Sequence, residues 1–122
     1  MPKLLPDASL KAFYSCVDES GDLQHQIMLR LLFYTAVRAS ELASIAVDDV
    51  DIEARKILIE SGKGDRDRYI LFPDSFGLIL KAHLAAHPDY RSLFESRQRR
   101  RYSDRRIQQI VKYYAEKAGM TE

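Results

Sequence analysis

The sequence contains no tryptophan, a single cysteine, five glycines and four prolines among 122 residues, and each shortage narrows what the chain can be. With Cys16 alone no internal disulfide can staple a small core, which favours a reducing, cytoplasmic setting and a structural thiol. So few Gly and Pro residues exclude a collagen-like repeat and argue against a low-complexity, disordered chain. No stretch reaches the roughly 18 consecutive apolar residues of a membrane span. The first ten residues also lack the charged-then-apolar order of a secretory leader. What is present is 46% hydrophobic and 30% charged residues, enough for one modest core. The expectation is a single domain over residues 8–120, preceded by a flexible N-terminus of residues 1–7.

The net charge is only +1, but it is unevenly placed. Residues 1–62 hold six Lys or Arg against ten Asp or Glu, whereas residues 63–122 hold thirteen against eight. Within the basic half, Arg97, Arg99, Arg100, Arg101, Arg105 and Arg106 fall inside ten positions with only Asp104 opposing them. Their mutual repulsion is relieved most directly by a polyanion, so these six are candidate DNA-binding residues.

Periodicity outlines the elements. Leu10, Phe13, Tyr14 and Val17 have the spacing of an amphipathic helix that ends near Glu19, with Asp7 or Ser9 as its cap. Residues Leu23 to Thr35 are apolar on nearly all sides, which predicts a core helix. Ser40 is the expected cap of a short helix from Glu41 to about Ile45. The period then falls to two: strands are expected near Val50–Ile52, Lys56–Glu60 and Arg68–Phe72, with a turn at residues 53–55. Pro73 closes the last strand, and Phe76, Ile79, Leu80, His83 and Leu84 mark the inner face of a helix that Pro88 stops. Leu93 and Phe94 form an apolar anchor before the arginine cluster. Ser103 then caps a final helix with Ile107, Ile110, Val111, Tyr114, Ala115 and Ala118 inward and Gly119 as its stop. The fold class that follows is α+β, mainly helical, with helices packed around a small three-stranded antiparallel sheet.

Arg38 lies between the apolar helix and the short capped one, where packing would hold a guanidinium still. A fixed planar fork can bind two non-bridging oxygens of one phosphate. Lys63 stands between two glycines in the run GKGDRDR. Glycine lets a backbone approach a ligand closely, and a lysine there can give a proton to a departing hydroxyl if its surroundings bring its pKa toward neutrality. The run is no phosphate-binding P-loop, because the rest of that pattern is missing. His83 and His87 have the spacing of a zinc pair, but no Glu follows His83 and no third ligand suggests itself, so no metal is expected. Asp48, Asp49, Asp51 and Glu53 read as an exposed sheet edge.

In order along the chain, TAVRASEL at 35–42, the acidic DDVDI stretch, GKGDRDR at 62–68, a Leu-Phe pair and a helix ending KAGM resemble the tyrosine recombinases, or phage integrases. The similarity spans roughly residues 8–120. It implies a truncated version of that family's catalytic-domain fold. The arginine of the family's T-G-[aliphatic]-R-x-S-E-L motif grips the scissile phosphate and is matched by Arg38, with Ala36 where glycine is usual. The family's hairpin lysine, general acid toward the 5′ hydroxyl leaving group, is matched by Lys63. Glu41 matches the acidic residue of SEL, which implies a supporting role. The family's later His-x-x-Arg pair and the tyrosine that joins the 3′ phosphate find no counterpart in these 122 residues. The resemblance therefore implies a segment that binds double-stranded DNA without turnover, drawn from a recombinase that self-associates on DNA and needs neither metal nor nucleotide. The alternative reading is a non-catalytic DNA-binding or regulatory module.

Overall fold

The computed structural model describes residues 7–35, 37–60 and 67–119. Ala36, Lys63 and the part of the expected flexible segment before residue 7 lie outside the described residues. The chain forms α1 (Asp7–Glu19), α2 (Leu23–Thr35), a short α3 (Ala39–Ala43) and a 3-10 turn (Val47–Asp49). It continues through β1 (Val50–Asp51), β2 (Lys56–Ile59), β3 (Arg68–Leu71), α4 (Asp74–Ala86) and α5 (Asp104–Lys117). The strands form one antiparallel sheet in the order β1-β2-β3, so the expected architecture of helices with a small three-stranded sheet is the one observed.

Helix α2 is the hub. Ile27, Met28, Leu29, Leu31 and Leu32 are all buried, and α2 contacts α1, α3 and α4. Its start is set locally, because Asp22 Oδ1 accepts the otherwise unpaired His25 N–H at 3.0 Å. Phe13 and Val17 of α1, Leu80 of α4, and Ile107 and Ile110 of α5 complete the core. Removing such side chains from water contributes about 1.5–3 kcal/mol each. Helix α5 begins as its sequence suggests: Ser103 Oγ accepts the Arg106 N–H at 3.1 Å. Past its end, Gly119 takes φ +81°, the left-handed geometry that a Cβ would oppose.

The sheet follows the period-two rule. Ile57 pairs with Ile70 on the buried face, and Lys56 with Leu71 and Leu58 with Tyr69 on the other. On that outer face Lys56 Nζ lies 4.3 Å from the centre of the Tyr69 ring. The turn at residues 53–55 is present, with Arg55 at φ 57°. The acidic stretch before it is less idle than an exposed edge: Asp49 Oδ2 accepts the Ala46 N–H and Asp51 Oδ1 the Ala54 N–H, both at 2.9 Å. These carboxylates fix turns.

One boundary is corrected. The short helix begins at Ala39 rather than Glu41, and Arg38, not Ser40, occupies the position before its first residue. The physical reason is Glu41, which at the third helical position turns back so that Oε1 accepts the Arg38 N–H at 3.0 Å. That bond draws the helix start two residues earlier.

Candidate functional site

Arg38 holds extended backbone (φ −78°, ψ 153°) at the mouth of α3, and its side chain is exposed. Two neighbours hold it there. Val37 is buried on one side, and the Glu41 carboxylate anchors the Arg38 amide on the other. The guanidinium makes no ion pair or side-chain hydrogen bond with any other described residue. It borders a groove of about 500 Å³ shared with Phe33, Val37, Ser40, Asp104 and Gln108. The groove thus brings Arg38 beside the start of α5, where Arg105 and Arg106 follow.

Glu41 does more than support Arg38. Both its oxygens receive the Arg68 guanidinium side-on, Nη1 to Oε2 at 2.9 Å and Nη2 to Oε1 at 3.1 Å. Arg68 and the Arg38 N–H together hold the Glu41 carboxyl below the ordinary carboxylate range, against the opposing effect of burial. Arg68 was not singled out from the sequence, although a signal existed. The β2–β3 register pairs it with buried Ile59 and places it on the same face as Ile70, and a cation on the inward face of a sheet calls for a counter-charge.

The arginine cluster is a built turn. Arg99 N–H donates to Ser96 O at 2.9 Å and Ser96 N–H to Arg100 O at 2.8 Å, while Glu95 and Arg101 bridge as antiparallel partners. Arg99 has φ 63°, so residues 95–101 form a hairpin whose three-residue loop ends in a left-handed residue. Arg97, Arg99, Arg100 and Arg101 are exposed. Arg99 pairs with Asp89, and Arg101 Nη1 comes within 3.5 Å of Ser44 Oγ at the far end of α3. Arg106 reaches Gln109 Oε1 at 3.4 Å. Arg97, Arg100 and Arg105 have no side-chain partner among the described residues.

The root of this hairpin is fastened to α2. Gln24 Nε2 donates to Glu95 O at 3.1 Å, and Gln24 Oε1 accepts the Glu95 N–H at 2.9 Å. Glu95 itself is buried, and its Oε2 accepts the Arg91 and Ser92 N–H groups at 2.8 and 2.9 Å. Neither Gln24 nor Glu95 stood out in the sequence. His83 Nε2 lies 2.7 Å from Leu93 O, and burial pushes its pKa down. His87 stacks on Tyr90 with 4.2 Å between ring centres. Among the described residues no group of His, Cys, Asp and Glu could hold a metal ion, and no helix is long and apolar enough to cross a membrane.

The Phage integrase family model matches residues 3–122. The chain is 32% identical over 124 residues to the tyrosine recombinase XerA of Thermococcus kodakarensis, a match covering 98% of this chain and 44% of that protein. It is 28% identical to the TnP I resolvase of Bacillus thuringiensis, covering 93% and 42%. The chain thus spans less than half the length of these relatives. In three dimensions it superposes on the crystal structure of XerA recombinase with a TM-score of 0.86 and 28% identity, over 100% of this chain and 45% of that one. It shares the fold of the lambda integrase catalytic core at a TM-score of 0.70 and 17% identity, over 98% of this chain and 72% of that one. With the family model spanning nearly every residue and the XerA fold reproduced throughout, the chain belongs to the phage integrase family, the tyrosine recombinases, and corresponds to part of their catalytic domain.

Proposed function

We propose that this segment supplies the first phosphate clamp of a site-specific DNA recombinase that breaks and rejoins duplex DNA through a 3′-phosphotyrosine. In this reading Arg38 grips the scissile phosphate, Lys63 protonates the departing 5′ oxygen, and Glu41 supports both. Arg97, Arg99, Arg100, Arg101, Arg105 and Arg106 hold the duplex backbone. The observation that carries the reading is the Arg38 guanidinium, which stands unpaired among the described residues at a groove mouth while its own backbone is anchored by Glu41. Such preorganisation matters because phosphoryl transfer gains most from fixed cations placed where charge develops.

The reaction has two charges to manage. As the tyrosine oxygen attacks phosphorus, negative charge grows on the non-bridging oxygens, where a bidentate guanidinium is most effective. The 5′ oxygen leaves as an alkoxide unless a proton reaches it, which is the task assigned to Lys63. The 122 residues contain no His-x-x-Arg, so on their own they bind DNA without turning it over. Self-association on DNA belongs to the complete enzyme.

The test is a covalent-adduct assay on nicked duplex DNA, using a recombinase polypeptide that carries these residues and continues through the nucleophilic tyrosine. Arg38→Ala should lower adduct yield by at least about a hundredfold with little change in melting temperature, since the side chain packs against nothing that it stabilises. Undiminished adduct would remove Arg38 from the site.

A further inference from the structure

Glu41 belongs to two networks at once, and the second reaches the hairpin that carries Lys63. Its Oε1 is shared between the Arg38 N–H at 3.0 Å and Arg68 Nη2 at 3.1 Å, while Oε2 takes Arg68 Nη1 at 2.9 Å. Arg68 opens β3, opposite Ile59 at the end of β2. It is therefore the last paired residue on its strand before the connection that bears Lys63, five positions away. We propose that Arg68 is a positioning residue for Lys63, fixing the root of its hairpin to the carboxylate that also fixes Arg38; this rests on the roles proposed above for Arg38 and Lys63.

The geometry suits that task better than it suits stabilising the fold. A planar guanidinium meeting both carboxylate oxygens sets orientation as well as distance, which an ammonium cannot do. The Arg68 side chain is 43% exposed and that of Glu41 15%, so the pair sits at the rim, where ion pairs add little to global stability. The buried faces of Ile57, Ile59 and Ile70 already hold the sheet to the core. What they leave free is the splay of the hairpin end, and a proton donor displaced by one ångström loses about a hundredfold in rate.

Sulfur separates this role from a merely structural one. In the natural step the tyrosine oxygen bonds to phosphorus, the phosphorus–5′ oxygen bond breaks, and the leaving oxygen takes a proton from Lys63. Where sulfur replaces that bridging oxygen, the thiolate leaves without a proton and the general acid is dispensable. In the same tyrosine-containing polypeptide, Lys63→Met should slow cleavage of the oxygen substrate by about 10²–10⁴ and recover with sulfur. Arg68→Met should slow the oxygen substrate by about a hundredfold, recover with sulfur in the same way, and add no further loss when combined with Lys63→Met. Glu41→Gln, which keeps an acceptor for the Arg38 N–H but weakens the hold on Arg68, should give a smaller loss that sulfur also restores. If Arg68→Met stays slow on sulfur while Lys63→Met recovers, Arg68 acts elsewhere and the inference falls, leaving the Lys63 role intact. If Lys63→Met itself fails to recover, the general-acid reading falls and takes the inference with it. Should Arg68→Met prove unfolded by melting, Arg68→Lys and Glu41→Gln carry the same oxygen-versus-sulfur comparison, and defects that sulfur leaves in place would overturn the proposal.

Discussion

Glu41 and Glu95 each turn a carboxylate oxygen back onto the main chain, but only Glu41 also holds a guanidinium. Glu41 lies at the rim between α3 and β3, accepting one N–H and one cation. Glu95 is buried at the foot of the arginine hairpin, accepting two N–H groups and pairing with no cation among the described residues. The difference separates two uses of one side chain. A buried carboxylate facing backbone donors fixes a loop, and its removal strands those donors. A rim carboxylate facing a cation fixes a charge, and its removal frees the charge to move while the fold persists.

That contrast can be broken by mutation. Glu95→Ala should have the largest effect, lowering the free energy of unfolding by about 2–4 kcal/mol, because the Arg91 and Ser92 N–H groups lose their acceptor in a site that water reaches poorly. A urea titration measures this, and a loss no greater than that of Glu41→Ala would erase the distinction. Next comes acid. The folded Glu41 carboxyl sits below its ordinary range, first because of Arg68. Its contribution to stability is therefore complete above the unfolded value of about 4.3 and is lost as pH falls through the lower folded value. Glu41→Gln should flatten the dependence of the melting temperature on pH below about 4.3 and leave it unaltered near neutrality; an unchanged acid limb would mean that the pair is not formed in solution. The smallest effect is expected at Arg99. Arg99→Gly removes a left-handed strain of about 1 kcal/mol and an exposed ion pair with Asp89 of similar or smaller value. Stability should then shift by no more than about 1 kcal/mol, while affinity for duplex DNA falls. A larger loss of stability would make the Asp89 pair part of the fold.

How much of this was legible from residues alone follows the distance over which each contact acts. Helix α2 could be delimited to the residue because its signals are adjacent: Ser20-Gly21-Asp22 before it and an unbroken apolar stretch within it. The strands were equally clear, since alternation is a local pattern. The start of α3 was misplaced by two residues because a serine looked like the natural cap, whereas a glutamate reaching back to the Arg38 amide decided the matter. Arg68 with Glu41 and Gln24 with Glu95 were invisible for a different reason. Their partners lie 27 and 71 positions apart, and no periodicity links them. Lys63, the other cation that the sequence put forward, lies outside the described residues.

Helix α2 has one more consequence. Gln24, near its first turn, grips the foot of the arginine hairpin, and its last turn leads within three residues to Arg38. Thirteen residues at 1.5 Å each make a rod of roughly 20 Å, so the two basic stations are mounted on one stiff spindle. Lengthening that spindle by a single residue would rotate one station by about 100° relative to the other, and the two could no longer address the same stretch of duplex.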